Sequence, residues 1–223
     1  MPGPVQAATI LGSMDSSRHT PPAPVLQPAA GRRRAGWNSR DISLIAVFAA
    51  LMAASIAVPP IPAGNILGVP VTIQTAVVTL AGLVLGAGRG AAAMGLYVLV
   101  GLAGLPIFSA FRGGLGVLAG GSAGYILSFP LAAAVIGLLA QLVLQRNLRR
   151  RGLWLFAATF GGLLATHVLG ICGMMVNGQL ALPAALAADL PFLPGDIAKN
   201  LLAVLVALSV HRAFPDMLVR RVR

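Results

Sequence analysis

The sequence predicts an all-α integral membrane protein: six transmembrane helices in one bundle, with both termini cytoplasmic and outer loops that act as a lid. Composition is the first reason. Of 223 residues 57% are hydrophobic and only 9% charged, with a mean hydropathy of +0.88. A soluble domain carries about a quarter charged residues, so this chain cannot furnish a water-facing surface and its expected partner is the lipid bilayer. The second reason is repetition, because apolar runs close to the ~20 residues that cross a bilayer recur six times with short breaks between them. The third is charge asymmetry. With the N-terminus inside, the inner segments hold Arg18, Arg32, Arg33, Arg34, Arg40, Arg89, Arg146, Arg149, Arg150, Arg151, Arg212, Arg220, Arg221 and Arg223, while the outer loops hold Arg112 alone. Positive charge gathered on the cytoplasmic side sets orientation. The net charge of +11 therefore flanks apolar segments and excludes nucleic acid as a partner.

Residues 1–40, rich in Pro, Ala, Ser and Gly, read as a disordered basic cytoplasmic tail in which 5–14 is too short and polar for a signal segment, with Trp37 as an interfacial anchor. A six-helix membrane domain is expected over 41–213, and a basic cytoplasmic tail over 214–223. The first span is 42–58, with Asp41 as its N-cap, and it stops at Pro59-Pro60-Ile61-Pro62. The second runs from Val69-Pro70 to Leu85. A tight turn at 86–90 leads to the third, which ends near Gly104. Residues 105–121 carry so many glycines, with Pro106 and Arg112, that no continuous helix is expected there. Apolar but irregular, that stretch reads as a structured lid or re-entrant loop. The fourth and fifth spans are 122–144 and 153–176, and a proline-broken loop then leads to the sixth, 195–210.

Lys199 is the only lysine, three residues after Asp196 in an apolar run, so the two charges share a helical face. An ionisable side chain costs roughly 2.5–3.5 kcal/mol at a transmembrane helix centre on insertion scales. Retained there, the pair is a candidate ligand site; the competing reading is an ion pair that only fixes packing, with Asp196 as a helix cap. The topology also places Thr72, Gln74, Tyr125, Asn200, Asp189 and Arg112 in the outer half. Thr72 could instead bond back to its own helix, and Tyr97 and Tyr125 could be interfacial belt residues. In the first span Ala46, Ala50 and Ala54, and Ala49, Ala53 and Ala57, repeat every four residues, which suits close helix packing within the bundle or against a partner.

Cys172 is the one cysteine, so no internal disulfide can form, and its size beside Gly170 and Gly173 suits helix packing. His19, His167 and His211 are far apart in sequence and show no ligand spacing, so neither a metal nor a cofactor is expected. There is no Walker motif, no glutamate, no nucleophile–base pair in the spans and no pair of intramembrane carboxylates for a proton relay. An enzyme is not expected, and the chain has no means of its own to energise transport. A self-sufficient secondary carrier for a small carboxylate vitamin is the alternative, although no inverted repeat supports it.

Val-Pro-Val-Thr-Ile-Gln-Thr (69–75), Leu-Ala-Gly-Leu-Val-Leu-Gly (80–86), the run from Tyr97 to Phe108, Gly-Gly-Leu-Gly-Val-Leu-Ala-Gly (113–120), the run from Gly124 to Ala133 and Pro-Gly-Asp-Ile-Ala-Lys (194–199) together resemble the BioY family. Those proteins are the biotin-binding S-components of energy-coupling factor (ECF) transporters. The resemblance extends from about residue 41 to 213, departing from the usual Gly-Pro-Thr-Gly-Gly at Gly120-Gly-Ser-Ala-Gly. It implies biotin capture in a bacterial cytoplasmic membrane, beneath outer loops that close over the vitamin. It also implies docking, through small residues of the first helix, on a transmembrane coupling protein carrying paired ATPases. Ala49, Ala50, Ala53 and Ala54 would be the docking residues. Asp196 would accept from a ureido N–H and Lys199 would meet a carboxylate or the ureido carbonyl. Thr72, Gln74 and Asn200 would add polar contacts, while Tyr125 and the backbone at Gly114 and Gly120 approach the bicycle.

Overall fold

In the computed structural model, which describes residues 37–146 and 149–214, regular structure begins where Asn38 can cap a helix. The expected tails lie almost wholly outside the described residues. Helix α1 is Ser39–Ala54, extended by a 3₁₀ turn at Ser55–Ala57. Asn38 Oδ1 accepts from the Asp41 N–H at 2.9 Å and Asp41 Oδ2 from the Asn38 N–H at 3.0 Å, a reciprocal capping box. Asp41 is therefore not the N-cap but the third residue of the helix. It is buried, and its other oxygen accepts from Arg89 Nη1 at 3.3 Å.

Helices α2, Gln74–Leu85, and α3, Ala87–Leu102, are separated by Gly86 alone, which reverses the chain with φ +79°. The expected turn at 86–90 is thus one residue long, and Arg89 lies in α3, tying it to α1. At 12 and 16 residues, α2 and α3 are shorter than the expected spans; at 1.5 Å per residue they reach about 18 and 24 Å, against a hydrocarbon core of roughly 30 Å. The second span does not start at Val69: Pro70 has no N–H to give a helix, and Ile61 and Val71 instead exchange backbone hydrogen bonds of 2.9 and 2.8 Å. The Asn65 amide brackets Val69 N and O at 2.9 and 2.6 Å. Irregular backbone, pinned to the bundle, takes over where helix was expected.

After α3 the glycine-rich loop stays irregular, as its composition requires, with 3₁₀ turns at Ser109–Phe111 and Leu115–Ala119. Its anchor is Phe108, whose ring lies against Gly101, where a Cβ would come within 2.3 Å. Asn177 Nδ2 fastens the far end, donating to Leu118 O at 2.7 Å and Gly120 O at 3.0 Å.

Helix α4, Ala123–Gln145, is the central element and packs on α2, α3 and α5, Arg151–Asn177. Small residues set that approach: a Cβ on Gly124 would lie 2.0 Å from Leu169 O, and one on Gly173 2.7 Å from Gly124 N. Cys172 takes no part in this packing, because it is exposed on the other face. The segment expected to be loop contains a short helix, α6, Leu182–Asp189, with Pro183 in its first turn where no intrahelical bond is lost. Helix α7, Phe192–Ala213, starts three residues before Gly195 and carries Pro194 in its first turn. Asp196 therefore sits in the second turn and is not a cap.

Among the described residues there is no β-strand, and four helices are long and apolar enough to cross a membrane: Ser39–Ala57, Ala123–Gln145, Arg151–Asn177 and Phe192–Ala213. The two alanine rows of α1 face different ways. Ala49 is buried and Ala53 half-buried against the bundle, whereas Ala46, Ala50 and Ala54 are exposed. Tyr97 is no belt residue, since its ring is 1% exposed and stands edge-on to Phe108.

Candidate functional site

A cavity of about 50 Å³ opens at one end of the bundle between the 58–73 loop, the start of α2, the lid loop, α4 and α7. Phe108, Ile126, Phe129 and Phe192 give it apolar walls, and Asp196 and Lys199 lie at its polar side. Asp196 is buried because it is one turn inside α7 on the face toward α2. Lys199 follows at i+3, so its Nζ returns to Asp196 Oδ1 at 2.6 Å.

The ammonium also donates to Thr72 O at 2.6 Å and Thr75 Oγ1 at 3.1 Å, and Thr75 Oγ1 donates to Asp196 Oδ1 at 2.8 Å. All three N–H groups of Lys199 thus have acceptors. The structure reveals a strapped ion pair that joins α7 to the entry of α2, with its carboxylate held in one orientation. Two hydroxyls on the cavity wall are in the opposite condition. Ser109 Oγ and Ser122 Oγ are buried and have no hydrogen-bond partner. Buried polar atoms are nearly always satisfied, so these two are available to a ligand.

The structure brings Thr72, Gln74, Tyr125, Asp196 and Lys199 together around this cavity, with Arg112 at its edge. Gln74 is mainly committed elsewhere: buried, it donates to Tyr97 OH at 2.7 Å, and Tyr97 OH donates to Ile107 O at 3.0 Å. Asn200 does not line the cavity. It lies one turn deeper, beside a smaller hollow of about 10 Å³, and its Oδ1 accepts from Thr79 Oγ1 at 2.7 Å. Gly114 and Gly120 also stay off the wall; they shape the lid, Gly114 N donating to Gly101 O at 2.7 Å with φ +80°.

Sequence reasoning passed over Thr75, Ser109, Ser122 and His167. Thr75 and Thr79 are four apart in an otherwise apolar run, which marks one polar helix face and was the available signal. His167 is an ionisable residue inside a span, by default functional. Its Nδ1 is 2.8 Å from both oxygens of Asp189, and its Nε2 3.4 Å from Asp196 Oδ2. Tyr125 OH donates to Asp189 Oδ1 at 2.5 Å. The expectation of no paired intramembrane carboxylates fails here, because α6 carries Asp189 inward and α7 starts early enough to bury Asp196.

Fold and cavity define a multi-pass helical membrane protein with an amphipathic cavity at one end of its bundle. The chain belongs to the BioY family, whose model matches residues 29–216. It is 39% identical over 194 residues to the biotin transporter BioY of Rhodobacter capsulatus, spanning 82% of this chain and 98% of that protein. With the biotin transporter BioY of Rhizobium etli it shares 35% over 181 residues, 80% and 96% of the two chains. The crystal structure of the S-component for biotin from an ECF-type ABC transporter superposes with a TM-score of 0.72 at 22% identity, over 78% of this chain and 91% of that one. That likeness shows the shared fold.

Proposed function

We propose that this chain captures biotin, as the S-component of an ECF-type transporter whose partner subunits hydrolyse ATP. It carries out no chemistry on its ligand. In a member of the BioY family, the observation that carries the reading is the cavity itself, where a strapped Asp196–Lys199 pair and two unpartnered hydroxyls stand against four apolar walls. Biotin has matching halves. Its thioether ring is apolar, and its ureido group offers two N–H donors and a carbonyl. Asp196, held in place by Lys199, accepts from a ureido N–H, the serine hydroxyls serve the carbonyl, and the bicycle lies against Tyr125 and Phe129. The valerate then runs past Phe108 toward the mouth, where Arg112 stands.

The membrane domain spans about 41–213 as six crossings, α2 and α3 completing theirs with the irregular segments beside them. Both termini are cytoplasmic, the cavity faces outward, and the membrane is the bacterial cytoplasmic one. The exposed row Ala46, Ala50 and Ala54 is the part of α1 left for the coupling protein. Equilibrium binding of labelled biotin to purified protein tests the function: saturable binding supports it, and its absence in wild-type protein sinks it.

A further inference from the structure

Behind the cavity wall lies a second cluster of ionisable groups that the ligand reading leaves unused. His167 of α5 stands between Asp189 of α6 and Asp196 of α7, and all three are buried, at 6%, 4% and 5% exposure. Every element packed on the ring contributes. From α4, Tyr125 OH donates to Asp189 and its ring stands edge-on to the imidazole at 6.5 Å. From α2, Thr75 donates to Asp196, and Thr79 is held by Asn200 of α7. Lys199, also of α7, is the cation bonded to Asp196. The charged groups are then two carboxylates and one ammonium, a net −1 while His167 is neutral and zero when it is protonated. A neutral imidazole has one N–H, so it would leave a lone pair facing one of the two carboxylates; the imidazolium bonds Asp189 through Nδ1 and sets its second N–H, which has no hydrogen-bond partner, 3.4 Å from Asp196 Oδ2. An uncompensated charge is costly in a site this dry.

We propose that His167 is held as the imidazolium and completes the neutrality of the site. Its positive ring makes it a positioning residue: it draws α6 and α7 to α5 and holds Asp196 where the ligand must find it. The ligand half of this proposal rests on the biotin reading. The protonation half does not.

Nuclear magnetic resonance of protein labelled with ¹⁵N in its histidine rings tests the charge directly. At neutral pH the signal lost in His167→Gln is expected to be a ring protonated on both nitrogens; a ring with one bare nitrogen overturns the proposal, whatever the protein binds. Biotin titrations test the consequence. His167→Gln leaves the cluster at −1 and should weaken binding at least tenfold. The double variant His167→Gln with Asp189→Asn returns the charge to zero and should recover part of that loss; losses that simply add would overturn the proposal. Wild-type protein that shows the doubly protonated ring but binds no biotin at any pH would refute the biotin reading alone.

Discussion

Lys199 and Asp196 show how much a spacing can say and where it stops. Their i, i+3 relation in an apolar run was enough to expect an ion pair, and Nζ and Oδ1 do meet at 2.6 Å. That the ammonium would be saturated was not legible, because its other acceptors, Thr72 O and Thr75 Oγ1, come from a helix entry some 125 residues earlier in the chain. A saturated ammonium acts chiefly by orienting Asp196. Lys199→Ala, and Asp196→Asn, should each weaken biotin binding at least tenfold, about 1.4 kcal/mol, in equilibrium titrations. Lys199→Arg should not rescue the loss, since a planar guanidinium cannot place three donors around the compact site that Nζ occupies. Unchanged affinity in the first two variants would leave the pair with a packing role only.

Helices were legible from hydropathy, but their ends depended on contacts that no local pattern contains. Residues 69–73 look like the start of a span, yet Asn65 takes the backbone groups of Val69 and Ile61 those of Val71, so helix begins only at Gln74. Helix α6 was missed because its eight residues lie among prolines that suggest a loop, although Pro183 at a first turn is itself a helix-start signal. Glycine spacing likewise could not tell contact from surface. Gly124 of α4 has no room for a methyl against α5, whereas a Cβ on Gly88 of α3 meets nothing within 4 Å. Gly124→Ala should therefore destabilise the protein by about 1–3 kcal/mol through overpacking, while Gly88→Ala should be neutral or stabilising by a few tenths. Thermal unfolding in detergent distinguishes them. The same logic splits α1: Ala50→Trp, on the exposed row, should abolish co-purification with a coupling protein and leave biotin affinity intact, whereas Ala49→Trp should damage the fold itself. Equal co-purification of Ala50→Trp and wild type would remove this face as the docking surface.

The proposed orientation of the whole molecule rests on charge, and the structure changes the weight of that argument without reversing it. Arg89 is also the buried partner of Asp41, so besides counting among the basic residues of its side it ties α1 to α3. Among the described residues outside the helical spans, Arg146, Arg149 and Arg150 remain between α4 and α5, and Arg112 stands on the lid by the cavity. These groups lie at opposite ends of α4, whose 23 residues measure about 35 Å at 1.5 Å each, more than the hydrocarbon thickness. The proposed orientation, with Arg112 and the cavity outside, is the one the positive-inside rule favours. The lone cysteine makes this easy to check. In a Cys172→Ser background, Arg112→Cys should react with a membrane-impermeant maleimide in intact cells, and Arg149→Cys only after permeabilisation. The reverse pattern would turn the cavity toward the cytoplasm, where a capture subunit for an external vitamin could not use it.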